Sequence, residues 1–384
     1  MRIYLAALFI PIILAGCAGQ PARDAVSQGF FHDELFAASR KLPVSEVFAV
    51  SEEMQAFLDK EIPPHQRHRD APRALINALN SNGQFRLEYE SMRTRTASQA
   101  FQSRRGNCLS LVIMTSALAK SLGMQVHYQK VLVNDTWSRE QGTLFRSGHV
   151  NIVLGARQRD GLYLLPYEPS IIVDFLPPED ISRLRSIELS EAAVIAMFMN
   201  NRAAESLAAG DLDAAYGFAR SAIEADPTFH EAMNTLGVIY RRHGNLREAE
   251  AVLSKALESS PDNTQLLANL ALALQQQGKT EASRKLELRL KTLEQYAPFY
   301  FLDQARSAMA SRDFGKALEF FKRELDRDPD SHEAHFGLAR AFLALGDPRA
   351  ARSHLQEAIE HSNTSEDKNI YTAKLARLRA SLVN

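Results

Sequence analysis

The sequence carries almost no net charge: 45 basic side chains face 46 acidic ones, a formal charge of -1. With no overall positive field to attract a phosphate backbone, nucleic acid is excluded as an expected partner. After the N-terminal residues, no stretch approaches the about 20 consecutive apolar residues that a membrane-spanning helix needs. There is no glycine-rich phosphate loop and no dinucleotide fingerprint. His65 and His68 in PPHQRHRD have no further Cys, His or paired carboxylate at ligand spacing, so neither a metal nor a cofactor is expected. Cysteine is scarce as well, with Cys17 and Cys108 the only two.

What is present is 384 residues, 45% hydrophobic and 24% charged, the composition of a soluble globular protein and the length of two domains. The chain opens MRIYLAALFIPIILAGC, one Arg before an apolar run from Ile3 to Leu14, which reads as a secretory signal. Leu14-Ala15-Gly16-Cys17 resembles the bacterial lipobox. That resemblance implies cleavage after residue 16, acylation of Cys17 and, with Ala18 following, an outer-membrane anchor facing the periplasm. Residues 17–40 are then a tether. Cys108 is left as the sole thiol in a compartment that oxidises thiols, either as a small buried core residue or as a nucleophile.

A period of 34 runs through the C-terminal half. Gly210, Gly244, Gly278, Arg312 and Gly346 share one column, and Ala215, Ala249, Ser283, Ala317 and Ala351 share another. Ala203, Gly237, Ala271, Ala305 and Ala339 form a third column of small residues, as two closely crossing helices require. Pro227, Pro261 and Pro329 recur at the unit ends, where proline stops one helix and starts the next. The pattern resembles the tetratricopeptide repeat, five units over 191–363, with a capping helix over 364–384 whose apolar positions are Ile370, Leu375, Leu378 and Leu382. The third unit is the weakest, and Arg312 in the glycine slot predicts a looser hairpin in the fourth. Such an array either binds a protein or peptide partner or serves as a rigid spacer, and its stacked hairpins are expected to fold without the N-terminal half.

Residues 41–190 mix helical patterns, up to about Gly106, with a strand-rich region from about Gln125 to Phe175, an α+β reading. In RRGNCLSLVIMTSALAKSLG, a Gly-Asn turn precedes Cys108 and an apolar helix that stops at Gly123. Cys108 thus falls in the first turn of a buried helix, where unpaired amides favour a negative charge. Two strands follow, Ser147–Leu154 with His149 and Ser170–Phe175 with Asp174.

Cys at a helix start, His opening one strand and Asp on the next, in that order, resembles the transglutaminase-like superfamily of papain-like cysteine enzymes. The resemblance covers roughly residues 85–180. Gly106-Asn107-Cys108-Leu109-Ser110 and Gly148-His149-Val150-Asn151 are similar to a bacterial subgroup that carries tetratricopeptide repeats. It implies Cys108 as nucleophile, His149 as base and Asp174 as the group fixing the imidazole. The oxyanion donor is either Gln102, six residues before Cys108, or the Cys108 amide. The Trp found beside the Cys in tissue transglutaminases is replaced here by Asn107 and Leu109, and no calcium-site run occurs.

His127 is expected to be a core or surface histidine, and Arg93, Arg95, Arg104 and Arg105 a solvated basic stretch or a support for the thiolate. The expected fold is an α+β transglutaminase-like domain followed by an all-α repeat solenoid. The expected function is a lipid-anchored envelope cysteine hydrolase or acyltransferase acting on amide or peptide bonds. The alternative is a non-catalytic scaffold in which the repeats do the work.

Overall fold

The computed structural model describes residues 29–37, 42–64, 71–80, 87–90, 93–140, 143–157, 170–175, 186–293, 296, 299–362 and 365–383. Cys17, His65 and His68 lie outside these. In the N-terminal half, helices α1 (Val44–Val47), α2 (Glu52–Glu61), α3 (Ala71–Asn80) and α4 (Ala97–Ser103) precede α5 (Cys108–Ser121). Every residue of α5 from Leu109 to Ala119 is buried. A helix apolar on all sides has no solvent face to offer, so it becomes the axis of the domain.

Around α5 stand two small sheets. β1 (Glu88–Tyr89) pairs in parallel with β2 (Arg105–Gly106) immediately before the helix. β3 (Met124–Glu140), β4 (Thr143–Arg157), β5 (Ile171–Val173) and β6 (Ser186–Leu189) form an antiparallel sheet in the order β5-β4-β3-β6. Val150, Ile152 and Leu154 alternate inward from β4 and are fully covered. No helix among the described residues is long and apolar enough to cross a membrane.

The second half is a stack of five helix pairs: α6 (Glu191–Ala208) with α7 (Leu212–Ala225), α8 (His230–His243) with α9 (Leu246–Ser259), α10 (Thr264–Gln276) with α11 (Thr280–Leu293), α12 (Tyr300–Ala310) with α13 (Phe314–Arg327), and α14 (His332–Ala344) with α15 (Pro348–Glu360). The small-residue columns lie inside the pairs. Ala203, Ala215, Ala249, Ala305, Ala317 and Ala351 have no exposed surface. A Cβ on Gly237 would sit 2.4 Å from Leu253 Cγ, so that crossing tolerates no side chain. Ser283, the departure in the third unit, is satisfied by donating its hydroxyl to the Ala271 carbonyl at 2.9 Å. Turn residues Gly210, Gly244, Gly278 and Gly346 all have positive φ, and Arg312 follows them with φ 60°. The expected loosening of the fourth hairpin is therefore not seen: Arg312 accepts the left-handed conformation and the turn keeps its shape. The final helix, α16 (Ser365–Val383), buries Tyr371, Leu375 and Leu378, whereas Ile370, expected on its inner face, is 43% exposed.

Two features tie the halves together. A single apolar cluster runs from Val47 through α5 and the sheet into α6 to α10, so the first repeats and the N-terminal domain share one core rather than meeting at a neutral joint. Residues 29–37, within the expected tether, lie on the repeats. Tyr240 donates its hydroxyl to the Phe30 carbonyl at 2.6 Å, Tyr216 donates to Asp33 at 2.7 Å, and Arg220 pairs with Asp33. Phe36 stacks on Tyr216 with ring centroids 4.1 Å apart.

Arg312→Gly should raise the stability of the chain by about 1 kcal/mol, because a non-glycine residue in the left-handed region is strained. Gly237→Ala should lower it by about 1–3 kcal/mol through overpacking against Leu253. Thermal unfolding of the two variants checks both signs, and equal melting temperatures would contradict this account of the turn and crossing columns.

Candidate active site

The start of α5 is held by a closed set of polar contacts. Asn107 caps it, accepting from the Ser110 amide at 2.9 Å and from the Ser110 hydroxyl at 2.7 Å, while its own amide donates to Thr94 Oγ1 at 2.9 Å. Ser110 Oγ accepts from the Arg95 amide at 2.9 Å. Asn107, Ser110 and Thr94 are all buried, and these bonds meet the hydrogen-bonding needs that burial creates. Gly106 is required by close approach, since a Cβ there would stand 2.7 Å from Ser110 Cβ. Cys108 is the first helical residue and is half-buried.

His149 comes from β4 and Asp174 from the residue after β5. Extending the observed register of Ile152 with Val173 puts Asn151 opposite Asp174, and His149 shares the Asn151 face two residues away. His149 Nε2 lies 2.6 Å from Asp174 Oδ2, and Asn151 Nδ2 donates to the same oxygen at 3.2 Å. The other imidazole nitrogen, Nδ1, is buried with no hydrogen-bond partner among the described residues. Burial alone would lower the His149 pKa, but the hydrogen-bonded Asp174 carboxylate and, after it, the influence of Cys108 outweigh it and push His149 up to about 9. His149 is thus hydrogen-bonded to Asp174 and responds to the charge of both Asp174 and Cys108.

Gln102 is brought elsewhere. It is exposed on α4 and lines a cleft of about 330 Å³ with Glu53, Phe57 and Lys60 of α2. The basic stretch is paired off in part: Arg95 bonds Glu90 at 2.8 Å and Arg105 bonds Glu88 at 2.8 Å. His127 is a surface residue beside Glu188 at 3.3 Å.

Tyr89 escaped the sequence reading, and Asn151 entered it only as part of the Gly148–Asn151 segment, with no role of its own. Tyr89 pairs with Gly106 across β1 and β2, and desolvation first, with the Cys108 charge second, pushes its pKa up, although the residue as a whole is 38% exposed. The local signal for Asn151 was its place two residues after His149 on one strand face.

Residues 57–153 match the family model of the transglutaminase-like superfamily, a span that includes Cys108 and His149 and ends before Asp174. Residues 206–259, 234–298 and 302–366 match tetratricopeptide-repeat models. The chain therefore carries a transglutaminase-like domain followed by a tetratricopeptide-repeat solenoid. Among solved structures it is similar to MamA, at 18% identity over 43% of this chain and 91% of that one, with a TM-score of 0.25. It is similar to YrrB, a tetratricopeptide-repeat protein with an unusual peptide-binding site, at 19% identity over 47% of this chain and 92% of that one, with a TM-score of 0.26. It is also similar to yeast Tom70, at 18% identity over 49% of this chain and 40% of that one, with a TM-score of 0.32. No curated protein matches it.

The raised His149 pKa has a consequence for folding. Its value in the fold exceeds the ordinary 6.5, so its stabilising contribution is fully present below about pH 6.5 and is lost as pH rises through about 9. Wild-type protein should lose stability across that window, and Asp174→Asn should flatten the loss. Denaturant melts on both sides of the window check this, and parallel pH profiles for the two proteins would contradict it.

Proposed function

We propose that this chain is a lipid-anchored envelope cysteine enzyme that cleaves amide or peptide bonds, passing the acyl group to water or to an amine. What supports the reading is the His149–Asp174 hydrogen bond, together with the influence on the His149 pKa of Cys108 at the start of a buried helix. In this reading Cys108 gives its proton to His149, and the sulfur attacks the substrate carbonyl to form a C–S bond. His149 returns the proton to the departing nitrogen as the C–N bond breaks, leaving a thioester. Water or an amine then attacks that thioester, His149 accepts its proton, and the proton goes back to sulfur.

Asp174 fixes the imidazole with Nδ1 toward the thiol and stabilises the imidazolium, while Asn151 holds the carboxylate in place. The Cys108 amide, at the first helical position, is the better placed oxyanion donor, because Gln102 is turned to the α2 cleft. Tetratricopeptide repeats generally mediate protein or peptide binding. Here they would hold the substrate or a partner. The leader and Cys17 would place the protein at the outer membrane facing the periplasm.

An activated ester tests the chemistry without knowledge of the natural substrate. Added p-nitrophenyl acetate should acetylate Cys108, seen by intact mass, and turn over. His149→Ala should slow acylation by about 10²-fold or more while melting as wild type does. If Cys108 is never acetylated in the folded protein, the enzyme reading fails and the repeats alone carry the function, as in a scaffold.

A further inference from the structure

The last helix pair gathers imidazoles that the site above does not use. His354, Glu357 and His361 follow one another at i, i+3 and i+7, on one face of α15 and its C-terminal cap. From α14, the buried His335 meets that face, with Nδ1 3.1 Å from His354 Nδ1. The rings of His335 and His361 lie nearly parallel, 5.9 Å apart. One ligand atom from each of His335, Glu357 and His361 lies within 4.8 Å of the other two.

Second partners orient both outer rings. His335 Nε2 is 3.0 Å from the Pro329 carbonyl oxygen, and a nitrogen facing a carbonyl carries the hydrogen. His361 Nδ1 is 3.4 Å from Asp330 Oδ1, while its Nε2 is 3.6 Å from Glu357. A carbonyl or a carboxylate on the far nitrogen is the arrangement that turns the near nitrogen of a histidine toward a metal. The turn at Pro329-Asp330 therefore supplies an orienting group to each of two imidazoles on different helices.

We propose that His335, Glu357 and His361 form a binding site for one divalent first-row transition ion of the zinc or cobalt type, with His354 beside it. Two imidazoles and a carboxylate are a donor set suited to these ions. The three ligand atoms already lie within 4.8 Å of one another, close to the spacing that a shared ion requires. A bound ion clips α14 to α15 and fixes the end of the solenoid.

The test titrates Co²⁺, and separately Zn²⁺, into the full chain without an affinity tag and with Cys17→Ser and Cys108→Ala, so that no thiol can contribute. One equivalent should bind, the cobalt complex should show visible absorption, and the melting temperature should rise. His361→Ala and Glu357→Gln, both at partly exposed positions, should each weaken binding at least about tenfold with an unchanged circular dichroism spectrum. Absence of binding, or equal affinity in either folded variant, overturns the proposal.

Discussion

A helix that is apolar on every side can be buried whole only if the amides and side chains of its first turn find partners inside the protein. In this chain the helix beginning at Cys108 meets that demand through Asn107, Ser110 and Thr94. The same contacts set where the sulfur stands, because Cys108 lies between the capping residue and the serine that the cap holds. Gly106 allows the approach, and the short β1–β2 pairing brings the preceding segment alongside. The sheet on the other side supplies His149 and Asp174 from neighbouring strands. The network that makes the helix start tolerable in the interior thus also sets where the Cys108 sulfur stands.

That arrangement extends into the repeats. The Thr94 amide donates to Glu205 of the first repeat helix at 2.6 Å, and Arg202 of the same helix donates to the Thr94 carbonyl at 3.3 Å. Burial raises the Glu205 pKa, which the hydrogen bonds from Thr94 oppose. Through Thr94 the first repeat is two hydrogen bonds removed from the cap of the Cys108 helix. With the shared apolar core and the docked residues 29–37, this makes the first repeats part of the N-terminal domain's support. The fourth and fifth repeats, by contrast, have apolar clusters of their own among the described residues.

Local patterns told most of this story. The 34-residue columns located the helix pairs because each small residue answers to a crossing a few ångströms wide, and the Gly-Asn-Cys turn before an apolar run located the start of α5. His149 and Asp174 were readable because strand alternation constrains which residues share a face. What escaped depended on contacts between distant segments. Tyr89 reaches the thiol region through a parallel pair only two residues long. The docking of Phe30 to Phe36 on Tyr216 and Tyr240 has no local signature, since it joins residues about two hundred positions apart. Gln102 had the right spacing to Cys108 in sequence, but α4 ends at Arg104 in a left-handed conformation, and the turn leaves Gln102 facing α2. Arg312 shows the opposite case, a residue that breaks the column while the surrounding pair holds its backbone in the same shape.

The central claim is that Cys108 is an activated thiol governed by His149 rather than a packed core residue. Its most direct test is the rate of alkylation by iodoacetamide in the folded protein near neutral pH, with Cys17 replaced by Ser so that one thiol remains. Rapid modification in the wild-type background, slowed at least about tenfold by His149→Ala in a protein that melts normally, is the outcome required. Modification that begins only on denaturation, or that proceeds equally fast without the imidazole, would contradict it.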